Sequence, residues 1–224
     1  MKINPNGFRE YDARWLYEKD IDLEGIIDLG KGLGTQVIGH VKKTNPRIIV
    51  GHDYRSYSED IKKALVNGLI STGCNVEDIG LSLSPTVYYA QFNLNSDAIA
   101  MVTASHNPAE YNGLKMCMNQ ARPVGQDSGL KEILQIVNTS PQRQAVTGSI
   151  ETVDVLDDFA THVCSTIDTS NLSGLKVVAD TANGMGGLIL PPVFSKLPFE
   201  LEILFPELDG NFPNHPADPL QQEN

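Results

Sequence analysis

The first 140 residues alternate short apolar runs with segments of helical periodicity, and this alternation restricts the possible folds more than any other feature. Leu23, Ile26, Ile27, Leu33, Val37 and Ile38 form one helical stripe within residues 20–39. The apolar runs at 47–51, 76–81, 97–103 and 114–118 predict strands, and further helices are expected from about 56, 84 and 130. Strand and helix in this order predict an α/β fold, a layered mixed sheet with helices on both faces.

Local signals refine the helix boundaries. Residues 56–59 (Ser-Tyr-Ser-Glu) match a capping box, and Gly73 is expected to end the helix that follows. Ser84-Pro85 predicts a helix start with proline in the first turn. The glycines at 30, 32 and 34 lie inside the helical stripe and lack dinucleotide-binding spacing, so they indicate close helix packing.

The pattern stops in a polar stretch at 138–149 and then restarts, which predicts a first domain at 1–147 and a second at 148–224. In the second part we expect a helix from about 155, strands at 175–179 and 201–205, and a helix at 187–197 shortened or broken by Pro191 and Pro192. Two strands and two helices are few for an independent core. Either this part packs against the first domain or, as we favour, the polypeptide stops before the domain is complete.

Charge and composition exclude several protein classes. The chain of 224 residues has a formal net charge of −11, and residues 148–224 hold 2 basic and 12 acidic side chains, so nucleic-acid binding is disfavoured. The sequence has no run of 18 apolar residues that would predict a membrane span, and residues 1–12 lack the apolar centre of a signal peptide. Three widely spaced cysteines without a C-x-x-C motif support neither disulfides nor structural zinc. We therefore expect a cytoplasmic protein; its oligomeric state is left open.

Residues 103–108 (Thr-Ala-Ser-His-Asn-Pro) carry the clearest chemical signal, directly after a predicted strand. The carboxyl ends of strands in α/β sheets are where ligand sites form. Ser105 supplies a hydroxyl, His106 and Asn107 supply hydrogen-bonding groups, and Lys115 supplies a nearby cation. This set suits a serine that carries phosphate, because a lysine can offset the charge of about −1.5 to −2 on a phosphoserine. From chemistry alone, a polar loop with an N-capping serine explains the residues as well.

The order of residues 103–108 is more specific than the chemistry of their side chains. T-A-S-H-N-P followed by Y-N-G-L-K at 111–115 closely resembles the active-serine loop of the α-D-phosphohexomutases, the phosphomannomutase/phosphoglucomutase superfamily. Five further segments are similar to family motifs in the same order: Phe8–Arg14, Val50–Arg55, Gly80–Thr86, Val178–Gly184 and Phe212–Pro216. The chain is thus identified as resembling the N-terminal portion of that superfamily, with a phosphohexomutase-like first domain and an incomplete, similar second one.

The resemblance implies an intramolecular phosphotransferase, an isomerase that interconverts hexose 1-phosphate and 6-phosphate through phosphoserine and a bisphosphate intermediate. Under it, Ser105 carries the phosphoryl group, and the phosphate on Ser105 ligates Mg²⁺. Lys115 and His106 are the other catalytic candidates. The substrate-binding candidates are Tyr11, Arg14 and Asn107. The implied partner is a phosphosugar, whose hexose the sequence does not identify.

Two departures from the family pattern stand out. Trp15 occupies the place of a glycine, so we expect a bulky ring at a tight turn that shifts Arg14. The aspartate loop D-G-D-x-D-R that supplies the magnesium ligands is absent, since Asp209-Gly210 is the only Asp-Gly pair. We therefore expect this chain alone to lack measurable mutase turnover.

Two alternatives remain. The first is a non-catalytic phosphosugar-binding or regulatory module that retains the serine loop. The second is a serine hydrolase, which is poorly supported because Ser105 is not in a G-x-S-x-G elbow. Asp53 and Arg55 are expected to form a structural ion pair near the end of a strand.

Overall fold

The computed structural model describes residues 3–139, 147–169, 171–172 and 174–223. The helices are α1 (Leu23–Val41), α2 (Ser58–Ser71), α3 (Ser84–Asn93), α4 (Lys131–Asn138), α5 (Leu156–Ser165) and α6 (Gly186–Phe194). The strands are β1 (Ala13–Leu16), β2 (Arg47–His52), β3 (Asn75–Leu81), β4 (Ala98–Val102), β5 (Tyr111–Met118), β6 (Arg122–Pro123), β7 (Ile150–Thr152), β8 (Leu175–Asp180) and β9 (Phe199–Leu204).

Across the described residues, seven strands form one mixed sheet in the order β1-β5-β4-β2-β3-β7, with β6 paired to β5. Strands β4, β2, β3 and β7 are parallel, whereas β5 runs antiparallel to both β4 and β1. Two core clusters lie on opposite sides of the sheet. Ile48 and Val50 face α1 and α2, whereas Ile49 between them faces α3. The predicted mixed sheet with helices on both faces is therefore confirmed.

Helices α1 and α2 cross at two glycines. A Cβ atom on Gly30 would lie 2.4 Å from the Leu65 carbonyl oxygen, and one on Gly68 would lie 2.1 Å from the Ile27 carbonyl oxygen. A side chain at either position would therefore collide with the backbone of the facing helix. The predicted role of the α1 glycines in close helix packing is confirmed.

The N-terminal end predicted for α2 was wrong, whereas α6 is shorter than the predicted 187–197 but is not broken at its prolines. Helix α2 begins at Ser58, and its N-cap residue Tyr57 makes no side-chain cap, so the Ser56–Glu59 capping box does not form. Helix α6 continues through Pro191 and Pro192 to Phe194. A proline removes one donor from a helix, but its fixed φ is already helical.

The expected tight turn at Trp15 was also wrong. Trp15 lies in the extended strand β1, where it pairs with Asn112 of β5 and is buried. Its ring packs edge-on against Phe8, and its Nε1–H donates to the Asn4 carbonyl oxygen at 2.8 Å. A Cβ on Gly7 would overlap the indole, so the neighbouring segment accommodates the ring and Trp15 adds to the core.

The second part of the chain joins the first through its helices. Strands β8 and β9 form a parallel two-stranded sheet in which neither strand has a buried residue. Helices α5 and α6 enclose a small cluster, Phe159, Ala160, Ile189 and Val193, which packs on Leu83 and Tyr89 next to and within α3. These helices therefore pack against the first domain, which is the option that sequence reasoning did not favour.

The polar stretch at 138–149 lies partly outside the described residues, which omit 140–146. Strand β7, which no sequence pattern predicted, follows this stretch and extends the first sheet by pairing with β3. The domain boundary at 147/148 stays a prediction.

Candidate active site

The loop between β4 and β5 presents Ser105 to solvent. Ser105 is exposed and adopts a left-handed backbone conformation with φ of 57°. Its amide donates to Thr103 Oγ1 at 2.9 Å, and the Asn107 amide donates to the Ala104 carbonyl oxygen at 3.1 Å. The hydroxyl group therefore stands at the carboxyl end of a central strand, within reach of a solute.

Side chains from the loop after β2 and from the start of α2 hold this serine loop from below. The guanidinium of Arg55 donates to the carbonyl oxygens of Ser105 (3.1 Å), Asn107 (2.7 Å) and Pro108 (2.7 Å). The Tyr57 hydroxyl donates to the carbonyl oxygens of Ala109 and Tyr111. An irregular loop is thus given fixed partners for its carbonyl groups.

A buried polar network supports Arg55 in turn. Asp53 accepts from Arg55 Nε at 3.3 Å and from the Arg55 amide at 3.2 Å, so the predicted Asp53–Arg55 pair is confirmed. The Ser58 hydroxyl donates to the same carboxylate and accepts from Asn112 Nδ2 at 2.9 Å. The network connects α2 and β5 to the loop.

A cleft of about 460 Å³ opens at Ser105. His106 Nδ1 lies 3.3 Å from Ser105 Oγ, and Lys115 lines the same cleft from β5. The first turn of α3, at Ser84 and Pro85, forms another wall, and its N-terminus has no side-chain cap. A lysine and the positive end of a helix dipole both favour an anion in this cleft.

Tyr54 borders the cleft from the loop after β2. Burial raises the pKa of the Tyr54 hydroxyl to about 12. Its phenol therefore remains protonated at neutral pH, as a neutral hydrogen-bonding group on the cleft wall.

Arg14 lies beside the loop and Asn107 within it, and their polar groups already contact each other. Arg14 Nη1 donates to Asn107 Oδ1 at 3.1 Å, and Arg14 Nη2 donates to Asp12 Oδ2 at 2.7 Å. Tyr11 is 71% exposed and borders an adjacent cavity of about 260 Å³, which it shares with Lys115. Lys115 thus lies between the cavity at Tyr11 and the cleft at Ser105.

The second part of the chain contributes residues to the cleft that sequence reasoning missed. Its wall includes Thr181, Ala182, Gly184, Met185, Ala217 and Pro219. Positive φ angles at Ala182 and Asn183 make a tight turn directly after β8. Its position after a strand was the available signal, because ligands gather at the carboxyl ends of strands.

Comparison with known proteins decides the family. The family model described as phosphoglucomutase/phosphomannomutase, alpha/beta/alpha domain I matches residues 5–144, and the one for alpha/beta/alpha domain II matches residues 156–224. The chain belongs to the phosphoglucomutase/phosphomannomutase family. The resemblance carried by the sequence motifs is thereby confirmed.

Several family members are similar over nearly all of this chain. A phosphomannomutase of Vibrio cholerae is 34% identical over 222 residues, which are 96% of this chain and 48% of that protein. A phosphomannomutase/phosphoglucomutase of Pseudomonas putida is 34% identical over 97% of this chain and 45% of its own length. The crystal structure of a family protein from Burkholderia thailandensis superposes with a TM-score of 0.87 at 29% identity, covering 99% of this chain and 48% of that one. The chain therefore spans about half the length of the curated relatives it matches.

The aspartate loop expected of a phosphohexomutase has no substitute in the described parts of this chain. No group of three or more His, Cys, Asp or Glu side chains there is arranged to hold a metal ion. Asp53, the carboxylate in the cleft wall, is paired with Arg55. The described residues thus do not make up a magnesium site, and we derive no step through a metal. Among them, no helix has the length and apolar character needed to cross a membrane.

Proposed function

We propose that this chain is the part of a phosphohexomutase that carries the phosphoryl group on Ser105. The observation that carries the proposal is the solvent-exposed Ser105 hydroxyl on a loop fixed at three carbonyl oxygens, opposite Lys115 in a cleft large enough for a sugar phosphate. Because the matched relatives are about twice as long, the complete mutase cycle is proposed for the whole protein. The substrate class is a hexose monophosphate.

In the proposed step, a sugar hydroxyl oxygen attacks the phosphorus of phosphoserine. The new O–P bond forms as the bond to Ser105 Oγ breaks, and the sugar becomes a bisphosphate. The attacking hydroxyl releases its proton to water in the open cleft, and Ser105 Oγ takes up one proton in exchange. His106 Nδ1, 3.3 Å from that oxygen, is suitably placed to supply it. Return of the other phosphate to Ser105 Oγ reverses these bond changes and releases the isomerised monophosphate.

Lys115 and Asn107 have distinct proposed tasks. Lys115 offsets the charge on the transferring phosphoryl group, which is the main catalytic requirement in a reaction dominated by positioning and electrostatics. Asn107, held by Arg14, fixes the loop, whereas Tyr11 borders the neighbouring cavity and is the proposed contact to the sugar. The expected Mg²⁺ stays a proposal for the whole protein.

The test is phosphoryl transfer to the chain from glucose 1,6-bisphosphate, followed by intact mass. We expect a gain of about 80 Da, one phosphoryl group, in the unaltered protein and no gain in Ser105→Ala. Ser165→Ala, an exposed serine at the end of α5, is the matched control and should gain the same mass. Phosphate mapped to a residue other than Ser105, or a gain that survives in Ser105→Ala, would refute the assignment. Tight binding of the bisphosphate without any mass gain would favour the non-catalytic binding module.

A further inference from the structure

Arg55 is almost completely buried, with 4% of its surface exposed. Its guanidinium group makes its hydrogen bonds to residues in loops, not to residues in a helix or strand. Its Nη2 bridges the carbonyl oxygens of Ser105 and Asn107, and its Nη1 contacts that of Pro108. Its Nε faces Asp53. A single planar cation therefore contacts three carbonyl groups within four residues of the serine loop.

The shape of the guanidinium matters for this arrangement. An arginine presents five N–H donors in a rigid planar fork, whereas a lysine offers one mobile ammonium group. The three carbonyls belong to Ser105 itself and to the residues two and three positions after it, and the left-handed φ of 57° at Ser105 is costly for a residue with a side chain. Such a conformation persists where surrounding contacts impose it. Arg55 supplies three of these contacts.

The second part of the chain covers the remaining face of this cation. The Phe212 ring lies with its centroid 5.4 Å from Arg55 Cζ, and it also packs edge-on against Tyr54 at 6.0 Å. A Cβ on Gly210 would lie 3.1 Å from Arg55 Cα, so the 210–212 segment approaches the backbone of this residue closely. Arg55 is thus clamped between the serine loop and a segment that comes about 100 residues later in the sequence.

From these contacts we infer that Arg55 is the positioning residue of the phosphoryl-transfer site. Its fork sets the backbone of Ser105, and Phe212 fixes the plane of the fork. Arg55 acts through the loop, since its nitrogens are occupied by carbonyl and carboxylate oxygens and it is not among the residues that line the cleft. This inference rests on the proposed phosphoserine function and adds a residue whose interpretation from sequence was only a structural ion pair.

The decisive variant is Arg55→Lys, which retains the charge and most of the volume but removes the fork. Arg47→Lys is the matched control, because Arg47 begins β2, at the opposite end of that strand from the loop that holds Arg55, and pairs with Glu77. The rate of Ser105 phosphorylation is measured across glucose 1,6-bisphosphate concentrations. We expect the maximal rate of Arg55→Lys to fall about 10²-fold with an unchanged half-saturating concentration, because the nucleophile is displaced while the phosphate-binding groups are retained. Arg47→Lys should match the unaltered protein.

Chemical rescue separates positioning from a general loss of structure. In Arg55→Ala, added guanidinium ion should re-enter the space between Phe212 and the loop and restore part of the phosphorylation rate. The ammonium ion, which lacks the fork, should restore none.

A second readout does not depend on phosphoryl transfer. The Asn107 amide, bonded to the Ala104 carbonyl oxygen, should exchange with solvent at least tenfold faster in Arg55→Lys than in Arg47→Lys. If the unaltered protein gains no phosphate at Ser105, the proposed function fails while this exchange still decides the role of Arg55. Equal phosphorylation rates in the two lysine variants, or equal amide exchange, would overturn the inference.

Discussion

At Ser105 a residue with a side chain adopts a backbone conformation that glycine takes far more readily, and φ of 57° costs about 1–3 kcal/mol. The cost is offset by contacts made elsewhere, chiefly by Arg55 and Thr103. Strained residues of this kind cluster at functional sites. The angle and the exposed hydroxyl together distinguish Ser105 from an ordinary N-capping serine, which would have an extended backbone.

A second pair at the residue scale is His215 and Asp180. His215 Nε2 lies 3.0 Å from Asp180 Oδ1, where the 212–216 segment meets the end of β8. Hydrogen bonds to the Pro216 carbonyl and to the Asp180 carboxylate raise the pKa of His215 above its ordinary 6.5. The folded protein therefore holds the imidazole proton more tightly than the unfolded chain does. The stabilisation is complete below pH 6.5 and is lost as the pH rises through the raised value.

We expect Asp180→Asn to lower the pKa of His215, because the amide can accept a hydrogen bond but carries no charge. The measurement is an NMR titration of the imidazole Cε1–H signals in both proteins. An unchanged His215 curve would show that Asp180 does not stabilise the imidazolium.

At the scale of elements, the crossing of α1 and α2 depends on the missing side chains of Gly30 and Gly68. Alanine is a better helix former than glycine by about 1 kcal/mol, so propensity alone predicts that Gly68→Ala stabilises α2. The new Cβ would lie 2.1 Å from the Ile27 carbonyl oxygen, which is backbone and has little room to move. Overpacking of this kind costs about 1–3 kcal/mol, so it decides whether the substitution raises or lowers the free energy of unfolding.

We therefore expect Gly68→Ala to lower the free energy of unfolding by up to about 2 kcal/mol, the overpacking cost less the gain in helix propensity. Gly39→Ala, in the exposed last part of α1 with no neighbouring atom within 4 Å of its Cβ, should raise it by about 0.5–1 kcal/mol. Urea denaturation of both variants, with the slope unchanged, is the measurement. If both substitutions stabilise, the close approach of the two helices is not maintained in solution.

At the scale of the whole molecule, the two parts of the chain meet at separate places. Tyr89 of α3 packs on Phe159 of α5, and Tyr54 and Arg55 pack on Phe212. The core of the large sheet lies in other clusters, one of which also includes Val155, the residue just before α5. The α5–α6 unit should therefore open without disturbing the central strands.

We expect Phe159→Ala to destabilise the α5–α6 unit by about 3–5 kcal/mol, the usual cost of removing a buried phenyl ring. Amide exchange should accelerate in 156–165 and 186–194 and remain unchanged in β2 and β4. Phe92→Ala, on the same helix α3 as Tyr89 but 62% exposed, is the control and should change stability by no more than about 0.5 kcal/mol. Uniform acceleration over the sheet would show that the molecule unfolds as one unit.

Sequence reasoning predicted the long elements and missed the short ones for a common reason. The 19 residues of α1 and the buried strand β2 carry clear periodicity. Strand β7 has three exposed residues, and it exists only because the edge of β3 is available to pair with it. Trp15 was placed at a turn because its position in the family motif outweighed the local pattern, yet burial against Phe8 keeps it in a strand.

Periodicity and contiguous motifs are local properties of a chain, so they were enough to predict the alternation of strands and helices, the family and the loop that bears Ser105. Only the tertiary structure showed that Arg55 contacts three carbonyl groups of that loop, that Phe212 covers Arg55, and that the turn at 181–185 forms part of the same cleft. These contacts join residues some 50 to 150 positions apart. The groups that Arg55 contacts are backbone oxygens, which every residue has, and a ring face, which every aromatic residue has. No sequence motif or residue spacing therefore identifies these contacts.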